Sequence, residues 1–201
     1  MASAPSSTSD VHLPETAREL VKILITGPFG VGKTTLIDSV SEIRPLHTEE
    51  QLTEASAQVD DLDGVREKTS TTVAVDFGRI SMPDGVVLYL FGTPGQERFR
   101  ALWDDIAYGA LGALVLVDSR RIDASFDVLG LMEESGLPYA VAFNAFPDSP
   151  RHYTDAQLRA ALDLDPATPM VTCDARDAGS SLDALLALVH HLIDRDPSEH
   201  R

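Results

Sequence analysis

Cysteine is almost absent. Cys173 is the single one in 201 residues, so no intramolecular disulfide framework is available and the fold must rest on burial and hydrogen bonding. It reads as a small apolar residue buried on a strand. Long apolar runs are also missing. None approaches the about 18 residues of a spanning helix, so no membrane-crossing segment is expected. Positive charge is scarce, with 16 Lys and Arg against 32 Asp and Glu, a net charge of −16. That balance weighs against nucleic acid and anionic membrane as partners, because their phosphates call for a basic surface. The six histidines show no H-x-x-x-H spacing and no H-x-E arrangement with cysteines, which argues against a zinc site. Ala2 stands where myristoylation needs glycine, and Ser198-Glu199-His200-Arg201 holds no cysteine to prenylate. Residues 1–15, rich in Ser, Ala and Pro, lack the basic start and apolar middle of a signal peptide and are expected to form a disordered leader. One domain is expected over residues 16–196, with a short tail at 197–201. The expected location is cytoplasmic, with membranes reached only through partners.

What the chain does have is concentrated in Leu20–Leu36, LVKILITGPFGVGKTTL. Val21, Ile23, Leu24 and Ile25 read as a buried strand that breaks into a glycine loop and then starts a helix. The loop, Gly27-Pro28-Phe29-Gly30-Val31-Gly32-Lys33-Thr34, fits G-x-x-x-x-G-K-[ST] without exception. Its glycines permit backbone angles that let successive N–H groups converge on one anion. The helix beginning near Lys33 adds free N–H groups and the positive end of its dipole. Lys33 would reach the outer phosphates, and the Thr34 hydroxyl would hold Mg²⁺. In so acidic a chain, phosphate must be bound by such a local device.

The rest of the pattern alternates strands and helices. The first helix is expected from about Lys33 to Ile43, with Leu36, Ile37 and Val40 inward and Pro45 as the stop. Residues 44–70 are acidic, poor in apolar side chains and without clear periodicity, and read as a long irregular connection. Strands are expected at Thr71–Met82 and Val86–Phe91, joined by the turn Pro83-Asp84-Gly85 as an antiparallel pair. A helix at Phe99–Tyr108 would turn Leu102, Trp103 and Ile106 inward. Then come strand Gly112–Asp118, helix Asp123–Ser135 with Phe126, Leu129 and Met132 inward, strand Pro138–Asn144, helix Asp155–Leu162 capped by Thr154, strand Met170–Cys173, and helix Ser181–Ile193. The last helix carries an apolar stripe of Leu182, Leu185, Leu186, Val189 and Leu192. There is no internal repeat. Six strands with intervening helices predict a mostly parallel six-stranded α/β sheet covered on both faces, with ligands at the carboxyl ends of its strands.

Later motifs fall in a telling order. Thr72–Phe77, TVAVDF, resembles the effector-loop end of Rab-like small GTPases, with Thr72 as the residue that closes over Mg²⁺ and the γ-phosphate. Gly92–Phe99, GTPGQERF, resembles the switch II segment D-T-A-G-Q-E-R-F. There Gly95 matches the γ-phosphate sensor and Gln96 the residue that orients the attacking water. Asn144–Asp148, NAFPD, resembles an altered N-K-x-D guanine motif, and Asp174-Ala175-Arg176 sits where S-A-K supports the base. The likeness runs from about residue 20 to 195. It implies a P-loop NTPase of the small-GTPase (G domain) fold that binds GTP or GDP with Mg²⁺. The stretches GPFGVGKTT (through Thr35), TTVAVDFGRI, LFGTPGQERF and CDARD are similar to bacterial Rab-like proteins. Among these are the GTPases of actinobacterial conservon operons and the gliding-motility GTPases of the MglA type. That family likeness implies a roadblock-type partner and a sensor-kinase-like protein.

The resemblance implies nucleotide contacts from Gly27, Phe29, Gly30, Val31, Gly32, Lys33, Thr34, Thr35, Thr72, Gly95, Asn144, Phe146, Asp148, Asp174, Ala175 and Arg176. It implies metal contacts from Thr34 and Thr72, and catalysis through Gln96. Four departures matter. Gly92 replaces the Asp that fixes an Mg²⁺ water; Asp76 and Asp118 are other carboxylates in or near strands. Phe29 puts a bulky ring at a loop position usually held by a small residue, which predicts slow hydrolysis. Asp148 lies four residues after Asn144 rather than three. Ala145 replaces the Lys whose stem covers the base, leaving Phe146 to supply apolar contact. Arg66, Arg79 and Arg98 are candidate cis arginines and read better as surface residues. The reading is a GTP-binding switch with slow hydrolysis. A non-hydrolysing, partner-regulated nucleotide scaffold and a P-loop ATPase or kinase are its rivals.

Overall fold

The computed structural model describes residues 17–53, 70–94, 103–146 and 153–195. In chain order its elements are β1 (Glu19–Thr26), α1 (Lys33–Val40), β2 (Leu46–Thr53), β3 (Ser70–Ser81), β4 (Val86–Gly92), α2 (Trp103–Ala107), β5 (Gly112–Val117), α3 (Phe126–Ser135), β6 (Tyr139–Asn144), α4 (Asp155–Ala161), β7 (Met170–Cys173) and α5 (Ala178–Arg195). The strands form one sheet in the order β2-β3-β4-β1-β5-β6-β7. β1 pairs in parallel with β4 and β5, and β6 pairs in parallel with β5 and β7. The β3–β4 hairpin, turned by the short helix Pro83–Gly85, is antiparallel as expected.

Alternation along the central strands assigns their two faces. Val21, Ile23 and Ile25 of β1 join Leu114 and Leu116 of β5 under α1 and α5. Leu24, Ala113, Val115 and Val117 point the other way, toward Trp103 of α2, Leu129 and Met132 of α3, and Leu158 of α4. Burial on both faces explains why β5 reads as an unbroken apolar run. β1 lies where the chain passes from one half of the sheet to the other, and the glycine loop leaves its carboxyl end. In open α/β sheets this crevice is the ligand site.

All six expected strands are present, and a seventh joins them. Leu46–Thr53, read as irregular, runs antiparallel to β3 from Leu46↔Phe77 to Thr53↔Ser70. Backbone pairing satisfies the open edge of β3 without requiring an apolar sequence, so composition conceals it. α1 ends at Val40, short of Ile43. Ser41 turns extended, and its hydroxyl donates to the Ile43 carbonyl at 2.8 Å. α3 starts later than expected, after a 3₁₀ turn at Ile122–Ser125, and this leaves Phe126 exposed rather than inward. Gly136 closes α3 in the left-handed region with φ 66°. Thr154 caps α4 in a reciprocal capping box with Gln157. Arg79, expected at the surface, is buried beside Glu42 at 3.5 Å. Cys173 is buried on β7 as expected, and burial, with a smaller push from Asp174, raises its thiol to about 12.

α5 is longer than expected; of its expected stripe Leu185 is fully buried and Val189 and Leu192 pack against the core, while Leu182 and Leu186 are half-buried. The fully covered residues are Ser181, Ala184, Leu185 and Leu188, while Ile193 is exposed. Leu188→Ala should therefore cost about 2–5 kcal/mol, and Ile193→Ala should stay within about 0.5 kcal/mol of the parent. Urea unfolding of the two variants side by side checks this.

Candidate functional site

The loop after β1 has the backbone that its glycines allow. Gly27 has φ 138°, and a Cβ there would stand 2.4 Å from the Leu116 carbonyl oxygen. Gly32, at φ 105°, precedes α1, and its Cβ would meet Nδ2 of Asn144 at 2.6 Å. No side chain fits either position. Lys33 folds back over the loop and donates to the carbonyls of Gly27 (2.8 Å) and Pro28 (3.0 Å). Burial pushes its ammonium down to about 8, partly countered by Asp76. An anion in the cradle would add to the counter-charge that Asp76 gives this half-buried cation. Gly30, Thr34 and Thr35 are exposed at the loop's mouth, and Val31 is buried beneath it. The Phe29 ring is 69% exposed.

Asp76 is what the sequence could not place. Its carboxylate accepts a 2.5 Å hydrogen bond from the Thr34 hydroxyl. Across the β3–β4 ladder its register partner is Gly92. A Cβ on Gly92 would lie 2.9 Å from Asp76 Cβ and 3.2 Å from its Oδ2. The two positions share one space, and a carboxylate at Asp76 requires the glycine opposite it. Thr72 pairs with Gln51 within the β2–β3 ladder, four residues from Asp76. That is roughly 13 Å of extended strand from the hydroxyl–carboxylate pair. Gly95, Gln96 and Asp148, with Arg66 and Arg98, lie outside the described residues.

Asn144, at the end of β6, is buried and joins two loops. Its Nδ2 donates to the Val31 carbonyl of the glycine loop at 2.8 Å, and its Oδ1 accepts from the Ala175 N–H at 3.0 Å. The next residue, Ala145, donates its N–H to the Cys173 carbonyl at 2.6 Å. A cleft of about 710 Å³ opens here, lined by Asn144, Phe146, Tyr153, Asp174 and Arg176 among others. Arg176 forks onto Asp174 (2.8 and 2.6 Å), and this hydrogen bonding holds the carboxyl down at about 2.

Two residues next to the cleft were missed from sequence. Arg120 lies over the Phe146 ring at 3.9 Å, and Arg121 donates to the Phe29 carbonyl at 3.0 Å. The available signal was Asp118 closing an apolar strand, since an acid buried there demands a nearby cation. Among the described residues no group of three or more His, Cys, Asp or Glu could hold a metal ion.

Fold and loop together define an α/β P-loop domain of G-domain architecture. The G domain of the T. maritima FeoB iron transporter superposes with a TM-score of 0.56 over 86% of this chain and 99% of its own, at 19% identity. The chain belongs to the family described as conserved hypothetical ATP binding protein, whose model matches residues 25–195. An uncharacterized protein of Methanocaldococcus jannaschii is 29% identical over 63% of this chain and 71% of its own length. The Ras-related protein Rab-11C of Dictyostelium discoideum is 33% identical over 52% of this chain. The GTP-binding protein ypt2 of Schizosaccharomyces pombe is 32% identical over 49% of it. The alignments span 39% and 41% of the lengths of those last two.

Asn144→Ala should strand the buried Val31 carbonyl and Ala175 N–H at once, and cost about 2–4 kcal/mol. A lowered thermal midpoint, compared with an exposed control such as Tyr153→Ala, checks it.

Proposed function

We propose that this protein is a GTP-binding switch that hydrolyses GTP slowly to GDP. The observation that carries the reading is the Asn144 bridge. One side chain locks the phosphate loop to the loop after β7, so phosphate and base subsites form a single rigid unit. A nucleotide spanning both would be held at its two ends, by Lys33 and loop N–H groups at one and by Asn144–Phe146 with Asp174–Arg176 at the other. The Rab and ypt relatives favour guanine. The family description names ATP, which keeps the P-loop ATPase or kinase reading as the rival on base identity.

Thr34 and Asp76 fit a divalent cation: a hydroxyl and a carboxylate already in contact, next to the phosphate cradle, are hard oxygen donors. When bound there, Mg²⁺ would neutralise charge on the outer phosphates. In this arrangement Asp76 does the work of the carboxylate absent at Gly92. Lys33 reaches the same phosphates, and Gln96 orients the attacking water. Thr72 and Gly95 sense the γ-phosphate from residues 66–76 and 92–108, which form the surface that partners read. Phe29, exposed at the loop's mouth, crowds that position and slows turnover. The same ring favours a second reading, in which nucleotide is held without hydrolysis and a partner sets the state.

The proposed nucleotide-binding domain is residues 16–196. The family likeness of the motifs supports a conservon-type setting, with a roadblock-type protein and a sensor-kinase-like protein as partners. The reading includes a cytoplasmic location, with membranes reached through those partners; none of the described helices is long and apolar enough to cross a membrane.

Chromatography of nucleotide released from purified protein should show GDP or GTP, and unlabelled GTP should displace a fluorescent guanine nucleotide at concentrations at least about tenfold below ATP. Stronger displacement by ATP would overturn the base assignment. For the metal, Asp76→Asn should raise the Mg²⁺ concentration that slows nucleotide release by about tenfold or more, with circular dichroism unchanged. An unaltered Mg²⁺ titration would remove Asp76 from the cation site.

A further inference from the structure

Asp118 follows β5 directly, with its side chain fully buried. Burial alone would raise its pKa, but hydrogen bonds from the side chain and backbone of Arg120 hold it below the usual carboxylate range. Arg120 Nε donates to Oδ1 at 3.0 Å and to Oδ2 at 3.2 Å, Nη2 donates to Oδ2 at 2.8 Å, and the backbone N–H donates to Oδ1 at 2.9 Å. Such a fork fixes the guanidinium in position and orientation. The fixed guanidinium lies 3.9 Å from the centroid of the Phe146 ring. It therefore holds the ring from one side by a cation–π contact.

Phe146 is not a core residue. It lines the polar cleft with Asn144, Asp174 and Arg176. Its backbone follows directly on Asn144 and Ala145, which are pinned to the phosphate loop and to β7. The residue after Arg120 ties the same turn to the phosphate loop, through Arg121 Nη2 and the Phe29 carbonyl at 3.0 Å. One turn, residues 118–121, thus fixes an aromatic ring in the cleft and grips the phosphate loop beside it. A ligand with phosphates at one end and a flat ring system at the other matches that pairing.

We propose that Phe146 is the surface on which the nucleotide base stacks, and that Arg120, locked by Asp118, is the residue that positions it. This rests on the nucleotide reading of the cleft. Every base offers a π face, so the platform governs how long a nucleotide stays and leaves the choice of base to groups that read its edge. Arg120 does not touch the ligand in this arrangement; it acts through the ring.

The test uses the full chain and three probes: mant-GDP, mant-ADP and inorganic tripolyphosphate, which has no base. Phe146→Ala should speed release of whichever mant nucleotides bind by about tenfold or more, while tripolyphosphate affinity stays within about twofold of the parent. Phe146→Trp should restore slow release. Arg120→Met should speed release several-fold and add nothing once Phe146 is Ala, while Arg120→Lys should recover only part of the loss. Parent-like release from Phe146→Ala, or an equal weakening of tripolyphosphate, would overturn the platform. Additive effects of the two truncations would overturn the positioning role of Arg120. A parent protein that binds no nucleotide would overturn both this inference and the reading on which it rests.

Discussion

The hydrogen bonds of Asn144 are the constraint on which the site depends. A phosphate loop alone is a strand-to-helix turn whose carbonyls face several directions, and buried carbonyls must find donors. Val31 finds its donor on another strand, in the amide of Asn144. The other end of that amide takes the Ala175 N–H from the loop after β7. Three loops at the carboxyl ends of β1, β6 and β7 are thus one hydrogen-bonded body. The close approach is possible because Gly32 has no Cβ to strike the amide nitrogen. Glycine at this position serves the bridge as much as it serves the anion.

A second constraint lies across the sheet at the β3–β4 ladder. Position 92 and position 76 face one another in register, and there is room for only one side chain between them. The chain places its carboxylate at Asp76 and its glycine at 92. Viewed as a string of letters, Gly92 is a loss. Viewed in the ladder, Gly92 is what leaves room for the Asp76 carboxylate beside Thr34. The placement also gives Lys33 an electrostatic partner that eases the desolvation of its ammonium.

Much of the architecture was legible because it follows from periodicity. Six strands, their order of appearance and the turn at Pro83–Gly85 are written in apolar runs and turn residues. β2 was not legible, since an edge strand held through its backbone leaves no apolar signature in LHTEEQLT. The widening of the α5 stripe to Ser181, Ala184 and Leu188 was hidden for another reason. Helix faces drift with a period of 3.6 residues, and small residues such as Ser181 and Ala184 count as core only when a neighbouring strand comes close. At the site, Gly27–Thr34, Asn144 and Ala175 were visible as motif letters. Asp76 and Arg120 act through cross-strand register and a buried counter-charge, and sequence spacing encodes neither.

The acidity of the chain sharpens what the loop must do. A net charge of −16 repels a polyanion at long range, but that repulsion is screened within about 10 Å at ordinary ionic strength. Inside that distance the field is set by Lys33, the loop N–H groups and the first turn of α1. The acidic groups around the site are themselves committed: Asp76 to Thr34, Asp118 to Arg120, Asp174 to Arg176. Each such contact neutralises or occupies a carboxylate that would otherwise oppose phosphate. The Asp174–Arg176 fork lines the cleft, and the Asp118–Arg120 fork stands behind Phe146, so two acidic positions near the site are each paired with a guanidinium. An acidic protein can in this way hold an anion without a basic surface, by pairing its nearby acids and leaving one half-buried lysine to answer the phosphate.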